Sequence, residues 1–278
     1  MLKQRIITAL VLAPVILGAV VFLPQRYFEL FFGVLAALGL YEWANLAGFA
    51  SVRSKLLYVF AASAVTMVVL YLPGWWNWAL AAGGLFWLCA VVIVIAFGRA
   101  NRAKALVANR GWTVGTGVLV FTATLVGLAT LKSQVSGHWL VIWALSVVWS
   151  ADIGAYFAGR AFGRHKLAPR VSPGKTWEGA CGGVAASVLV GAGFALAMQW
   201  PGSVTDWILI SGALAIVSIF GDLYESAMKR AHGVKDSGAL LPGHGGVLDR
   251  IDAILAVVPI FALWFAWAGA ERWISSPS

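Results

Sequence analysis

The sequence predicts an all-α polytopic membrane protein with about nine transmembrane helices, a cytoplasmic N-terminus and a C-terminus outside. Of its 278 residues, 61% are hydrophobic and only 11% are charged, and the mean hydropathy is +0.86. A soluble domain of ordinary composition carries about 25% charged and 45–50% apolar residues. So few charges could not cover a water-facing surface, which excludes a soluble enzyme. The high hydrophobicity excludes a disordered chain.

Nine apolar stretches are each close to the length that a helix needs to cross the hydrocarbon core, about 20 residues. They are 6–23, 27–48, 56–72, 76–97, 112–131, 138–159, 176–199, 205–227 and 252–270. No small-residue cleavage pattern precedes Pro24, so we expect the first stretch to be a retained helix and not a signal peptide. The connections are short, and residues 1–278 are therefore predicted to form a single helical membrane domain.

The basic residues fall in alternate segments along the chain. If the N-terminus is cytoplasmic, seventeen of the twenty Lys and Arg residues lie on the cytoplasmic side. This asymmetry is typical of membrane proteins, whose cytoplasmic loops are rich in Lys and Arg. The outer side keeps three basic and three acidic residues, which are Arg26, Lys132, Arg272, Glu29, Asp206 and Glu271. The whole net charge of +9 therefore belongs to the cytoplasmic side.

Three acidic residues, Asp152, Asp222 and Glu225, lie within apolar stretches near their cytoplasmic ends. A carboxylate at the centre of a span costs about 2.5–3.5 kcal/mol on insertion scales, and such residues usually face the bundle interior and mark function. We therefore expect an active site at the cytoplasmic ends of the helices, built from roughly residues 150–180 and 220–252.

The densest polar segment is 221–252. A helix would bring five of its side chains to one face by i, i+3 and i, i+4 spacing; these are Asp222, Glu225, Ser226, Lys229 and Arg230. Asp249 and Asp252 lie one turn apart at the start of the last span. The loop between is rich in glycine, whose backbone N–H groups can form an anion-binding nest. Mg²⁺ typically takes one or two carboxylates together with substrate phosphates, so the segment predicts a site for a metal-bound polyphosphate.

Three motifs carry a resemblance to a known family. Ser226-x-x-Lys229-Arg230, Lys235-Asp236 and Pro242-x-His244-Gly245-Gly246-x-x-Asp249-Arg250-x-Asp252 resemble the signature of the phosphatidate cytidylyltransferases. Two upstream segments are similar to other polar segments of that family: Asp152-x-x-Ala155-Tyr156-x-x-Gly159-Arg160-x-x-Gly163 and Ser172-Pro-Gly-Lys175-Thr176-x-Glu178-Gly179. In the N-terminal half, the resemblance singles out only Glu42, without giving it a role.

The resemblance implies that the protein converts CTP and phosphatidate into CDP-diacylglycerol and pyrophosphate, with Mg²⁺ as the cofactor. The attacking phosphate is already ionised at neutral pH, so positioning and charge stabilisation matter more than a strong base. The implied partners are CTP, phosphatidate and membrane lipids, with a homodimer left open and no nucleic acid. The implied location is the bacterial inner (cytoplasmic) membrane, with the active site facing the cytoplasm.

The resemblance also implies roles for individual residues. Asp222 and Asp249 are the expected metal ligands. The expected catalytic set consists of Asp222, Lys229, Arg230, Lys235, Asp236, His244, Asp249, Arg250 and Asp252. The expected substrate-binding set consists of Asp152, Tyr156, Arg160, Ser172, Lys175, Thr176, Glu178, Ser226, Gly245 and Gly246.

Two other functions would need similar polar residues in a membrane protein. A CTP-dependent membrane lipid kinase would bind the same substrates but transfer the γ-phosphate. A transporter could also bury carboxylates, although carriers place them near the bilayer midplane, often with inverted repeats. The acids here gather toward one face and the sequence contains no evident repeat, so the transporter is the weaker alternative.

Overall fold

The computed structural model of the protein describes residues 2–200, 203–238 and 245–267, with side chains from Leu10 onward. It contains ten α-helices and one short β-hairpin within these ranges. The helices are α1 (Leu2–Phe22), α2 (Gln25–Leu46), α3 (Val52–Leu70), α4 (Trp76–Phe97), α5 (Asn101–Ala108), α6 (Arg110–Lys132), α7 (Gly137–Phe162), α8 (Trp177–Ala197), α9 (Val204–Ala231) and α10 (Leu248–Trp267). The hairpin strands are β1 (Lys166–Ala168) and β2 (Ser172–Thr176).

The predicted all-α membrane architecture is confirmed. Eight helices in the described ranges are long and apolar enough to cross a membrane: α2, α3, α4, α6, α7, α8, α9 and α10. The first predicted span corresponds to α1, whose described apolar part, Leu10–Phe22, is shorter than these eight. The protein is therefore an integral membrane protein, and a ninth span remains a prediction.

Short polar side chains define where several helices begin. Ser51, Asn109 and Thr176 each accept a hydrogen bond from a backbone N–H in the first turn of α3, α6 and α8. At the start of α9, Ser203 and Asp206 form a reciprocal capping box. Such caps satisfy backbone donors that would otherwise lack a partner inside the helix. These caps therefore fix where α3, α6, α8 and α9 begin.

Two small elements were not predicted from the sequence. The loop between α7 and α8 contains the antiparallel hairpin, in which Lys166 pairs with Thr176 and Ala168 with Ser172. The loop between α4 and α6 contains α5, which buries Ala103 and Val107. Both elements are too short for a periodic pattern of apolar residues to identify them.

The bundle is held together by small residues at helix contacts. Gly154 of α7 lies against Gly182 and Ala186 of α8, and Gly183 lies against the Ala151 carbonyl, leaving no room for larger side chains. Small residues let helix backbones approach closely inside a membrane. The α7–α8 pair is therefore tightly packed and holds the hairpin between its two helices.

The polar ends of the helices meet at one end of the bundle. Contacts there join Lys175 to Asp222, Lys229 to Asp249, and Glu42 to the Leu248 amide. The opposite end is marked by Gln25 Nε2, which donates to the Ala129 carbonyl at 3.2 Å. The segments predicted to be cytoplasmic thus lie together in three dimensions.

Candidate active site

A polar cavity of about 430 Å³ opens between α7, the β-hairpin, α8 and α9. It is lined by six of the predicted site residues, which are Asp152, Tyr156, Arg160, Lys175, Thr176 and Asp222. They come from the end of α7, the junction of β2 with α8, and the last third of α9. The structure therefore brings residues of the two upstream motifs and of the main polar segment to one cavity.

An ion pair joins two sides of this cavity. Lys175 Nζ lies 2.7 Å from Asp222 Oδ2, and the two side chains are 26% and 34% exposed. Ser226, one turn along α9, donates from Oγ to Asp222 Oδ1 at 3.2 Å. Because the pair is only partly buried, Lys175 is accessible to an anionic ligand in the cavity.

Two further carboxyl groups interact with this pair. Asp152 interacts electrostatically with Asp222, Lys175 and Arg250. Asp252, which comes from α10, interacts electrostatically with Asp222, Glu225 and Asp152. Carboxylates from α7, α9 and α10 therefore converge at one end of the bundle.

A second, more buried cluster lies beside the cavity. Lys229 Nζ lies 2.6 Å from Glu225 Oε2 and 2.6 Å from Asp249 Oδ1. The three side chains are only 13%, 3% and 8% exposed, respectively. Removing one member of a buried ion pair leaves a charge without compensation, which is strongly destabilising. This cluster therefore ties α9 to the start of α10.

The described end of the glycine-rich loop folds around Asp249. Its Oδ2 accepts hydrogen bonds from the Gly246 amide at 2.8 Å and the Ser237 amide at 3.3 Å. Gly245 has φ = +81°, and a β-carbon there would lie 2.8 Å from Asp249 Oδ2. A residue with a side chain would be strained in this conformation and would crowd the carboxylate. Glycine at this position thus allows the loop to approach Asp249.

Glu42 of α2 lies at the site, although no role for it could be predicted from the sequence. Its carboxylate is 1% exposed, and Oε2 accepts from the Leu248 amide at 2.8 Å and from Ser237 Oγ at 3.4 Å. Its Oε1 has no hydrogen-bond partner among the described residues. A lone acidic residue in an apolar stretch signals a function. The Leu248 amide that donates to Glu42 lies 206 positions away in the sequence, so this contact could be found only in the structure.

Two predicted residues hold the surrounding backbone. Arg230 Nε donates to the Val171 carbonyl at 3.3 Å, which fixes α9 to the turn of the hairpin. Glu178 accepts from the amides of Arg164 and His165, and its Oε1 lies 2.6 Å from His165 Nδ1. Neither side chain lines the polar cavity.

Three other predicted residues do not line the polar cavity, although the Cβ of Asp236 lies near Gly245. Ser172 is half-buried in β2, and Lys235 and Asp236 are exposed in the loop after α9. His244 lies outside the described residues. Their catalytic or binding roles stay predictions.

The Lys175–Asp222 pair and the Lys229 cluster both contain carboxylate oxygens, which could serve as ligands for a cation. Within the described ranges, no group of three or more His, Cys, Asp or Glu side chains is placed to hold a metal. Asp222 lies in the polar cavity, and Asp249 lies in the Lys229 cluster. Asp252 interacts electrostatically with Asp222 and Glu225, and Glu225 interacts with Asp249. Mg²⁺ prefers hard oxygen ligands, and one or two carboxylates with substrate phosphates suffice.

Comparison with known proteins agrees with the motifs. The sequence profile of the cytidylyltransferase family matches residues 3–267. A phosphatidate cytidylyltransferase of Pseudomonas aeruginosa is 46% identical over 274 residues, which are 97% of this chain and 100% of that protein. Those of Haemophilus influenzae and Staphylococcus aureus are 35% and 33% identical, over 95% and 93% of this chain and 99% and 97% of theirs. These matches confirm the resemblance over nearly the whole length, and the chain belongs to the cytidylyltransferase family of nucleotidyltransferases.

Proposed function

We propose that the protein transfers the cytidylyl group of CTP to phosphatidate, forming CDP-diacylglycerol and pyrophosphate. A phosphate oxygen of phosphatidate attacks the α-phosphorus of CTP and forms a new P–O bond. The bond between the α-phosphorus and the oxygen bridging to the β-phosphate breaks, and its electron pair leaves with pyrophosphate. The relatives named above carry this activity in their names.

The polar cavity is the observation that carries this proposal. It combines cationic Lys175 and Arg160 with Asp152 and Asp222 at the ends of membrane helices. The nucleophile is already ionised, so these residues need to bring anions together and not to remove a proton. Lys175 would exchange Asp222 for a phosphate oxygen, and Arg160, whose Nη1 donates to the Tyr156 hydroxyl at 3.1 Å, is held at the rim.

Asp222 and Asp249 are the residues that we propose to hold Mg²⁺, with Asp252 and Asp152 nearby. When bound, the cation would neutralise charge on the phosphates. Carboxylates alone would repel a nucleoside triphosphate, so a divalent cation among them would favour the binding of CTP. Asp249 Oδ1 contacts Lys229, which would stay paired with Glu225 if Asp249 became a metal ligand.

We also propose that the site faces the cytoplasm from the bacterial inner membrane. The polar helix ends lie together with segments rich in Lys and Arg; for example, Arg170 of the hairpin donates to the Gly98 carbonyl. Cytosolic CTP and the phosphate of a membrane lipid would meet at this depth. An alkylation assay on cysteines introduced at exposed Lys235 and exposed Val135 tests the orientation, since we expect only the former to be reached from the cytoplasm.

The reaction is tested with CTP labelled at different phosphates. The purified protein, phosphatidate and Mg²⁺ are incubated with α-³²P-CTP or with γ-³²P-CTP. We expect lipid-bound label only from the α-phosphate, with the γ-label recovered in pyrophosphate. Label from the γ-phosphate in the lipid would instead identify a CTP-dependent lipid kinase and overturn the proposal.

A further inference from the structure

A second cavity, about 550 Å³ in volume, lies between helices next to the polar one. Its walls come from α1, α2, α6, α7 and α10, and its lining is almost wholly apolar, including Leu12, Leu35, Ala36, Leu125 and Leu128. Pockets that bind small molecules commonly measure about 300–1,000 Å³ and are mostly apolar with a few polar groups. The cavity therefore has the size and lining of a ligand site.

The charged lining of this cavity is concentrated at one end. Asp152 and Arg250 line it there, and they interact electrostatically with each other. Asp152 also lines the polar cavity. The two cavities thus share a wall residue, with a polar space on one side and an apolar space on the other.

The apolar cavity extends from the site toward the middle of the membrane helices. Along α7 its lining runs from Asp152 to Leu145, about 10 Å at 1.5 Å per residue. Along α10 it runs from Arg250, in the first turns of the helix, to Leu255. Its depth below the charged end is therefore enough for the first part of a hydrocarbon chain whose head group lies at the helix ends.

We propose that this cavity binds an acyl chain of phosphatidate, with Arg250 and Asp152 marking the level of the lipid phosphate. The inference rests on the proposed function. A molecule that joins an anionic phosphate to an apolar chain matches a cavity with a cationic group at one end and a hydrocarbon lining beyond. Arginine binds phosphate through several fixed N–H donors.

Kinetics with lipids of different chain length test the site. Ala36 is 7% exposed and lines the cavity, so Ala36→Phe would fill part of it. We expect the KM for dipalmitoyl phosphatidate to rise about tenfold, because the phenyl ring would take space that the acyl chain needs and a clash of this kind costs about 1–3 kcal/mol. The KM for dihexanoyl phosphatidate and for CTP should stay within about twofold of the wild type. Val34→Phe, on the same helix at a position 54% exposed, is the matched control and should behave as the wild type. An equal rise for both lipids would contradict the proposal.

Photolabelling of the wild-type protein tests the site even if Ala36→Phe does not fold. Phosphatidate with a diazirine in the distal half of one chain is added to the protein in phosphatidylcholine vesicles. We expect crosslinks at Leu35, Leu125 and Leu128 that excess unlabelled phosphatidate removes. Phosphatidylcholine with the same diazirine chain should instead label lipid-facing positions such as Leu85 and Leu88, each 64% exposed.

The outcomes separate the two proposals. Formation of CDP-diacylglycerol in the same vesicles is measured first, and its absence would overturn the proposed function together with the inference that rests on it. Product formation without crosslinks in the cavity would overturn the acyl-chain site alone. Equal labelling of the cavity by both probes would also overturn it, because the cavity would then hold bulk bilayer lipid.

Discussion

The backbone amide of Leu248 donates to Glu42 Oε2 at 2.8 Å, which joins the start of α10 to the end of α2. The same carboxylate accepts a hydrogen bond from Ser237 Oγ. One buried side chain therefore contacts both described ends of the glycine-rich loop. A carboxylate at the N-terminus of a helix is also favoured by the helix dipole. Glu42 is therefore a positioning residue for Asp249, which lies one residue beyond Leu248.

Replacing Glu42 tests that role. We expect Glu42→Ala to lower the free energy of unfolding by about 1–3 kcal/mol, because buried donors lose their acceptor. Glu42→Gln keeps one acceptor oxygen and should retain more activity than Glu42→Ala. Thermal unfolding in detergent and the rate of CDP-diacylglycerol formation measure the two effects. Glu29→Ala, at the other end of α2, is the control, and a similar loss there would refute a specific role for Glu42.

Lys175 is predicted to bind a substrate phosphate. We expect Lys175→Met to reduce kcat/KM by about 10- to 100-fold, the loss typical of one hydrogen bond to a charged group. Lys166→Met, an exposed lysine in the same hairpin, should leave the rate nearly unchanged. Steady-state kinetics with varied CTP and varied phosphatidate identify which substrate is affected. Equal rates for the two variants would show that Lys175 binds no phosphate.

The Lys229 cluster is predicted to be essential for stability as well as for activity. Lys229→Met leaves Glu225 and Asp249 buried without their cation, and we expect a loss of about 3–5 kcal/mol in unfolding free energy. Adding Glu225→Gln should restore part of this loss, because one uncompensated charge is removed. A double-mutant cycle followed by thermal unfolding measures the coupling. Additive losses would mean that the two residues do not interact.

Gly245 is predicted to matter for the site beyond its backbone conformation. Both Gly245 and Gly48 have positive φ, +81° and +74°, so Ala costs roughly 1–2 kcal/mol of strain at either position. Only at Gly245 would the new β-carbon meet Asp249; at Gly48 nothing lies within 4 Å. Activity should therefore be lost in Gly245→Ala and kept in Gly48→Ala. Unchanged activity in a folded Gly245→Ala protein would contradict this interpretation.

Much of the fold could be predicted from composition alone, because only a long apolar helix can cross the hydrocarbon core with its backbone polar groups hydrogen-bonded. The start of α10 was predicted less well, since it begins at Leu248 and not near 252. Asp249 and Arg250 belong to the first turn of this helix and are polar, so they look like loop residues when apolar runs are counted. The hairpin and α5 were missed because each has too few residues for a periodic signal.

Only part of the site could be predicted, because a sequence pattern reports on neighbours along one helix. Spacing along one helix correctly placed Ser226 beside Asp222, a contact four residues apart. Contacts between distant segments, such as Lys175 with Asp222 or Glu42 with Leu248, depend on how the helices pack. No local pattern encodes that packing, and the shared position of Asp152 between two cavities could be found only in three dimensions.

Paired substitutions on α9 test most directly whether the cavity around Asp222 carries out cytidylyl transfer. Asp222→Asn and Asp206→Asn make the same change on one helix, in the polar cavity and at the opposite end. With excess Mg²⁺ and α-³²P-CTP, we expect Asp222→Asn to form no labelled lipid above background, while it unfolds at a temperature near that of the wild type. Asp206→Asn should keep nearly the full rate, since asparagine is compatible with a helix start. A near-normal rate of CDP-diacylglycerol formation by Asp222→Asn would contradict the claim.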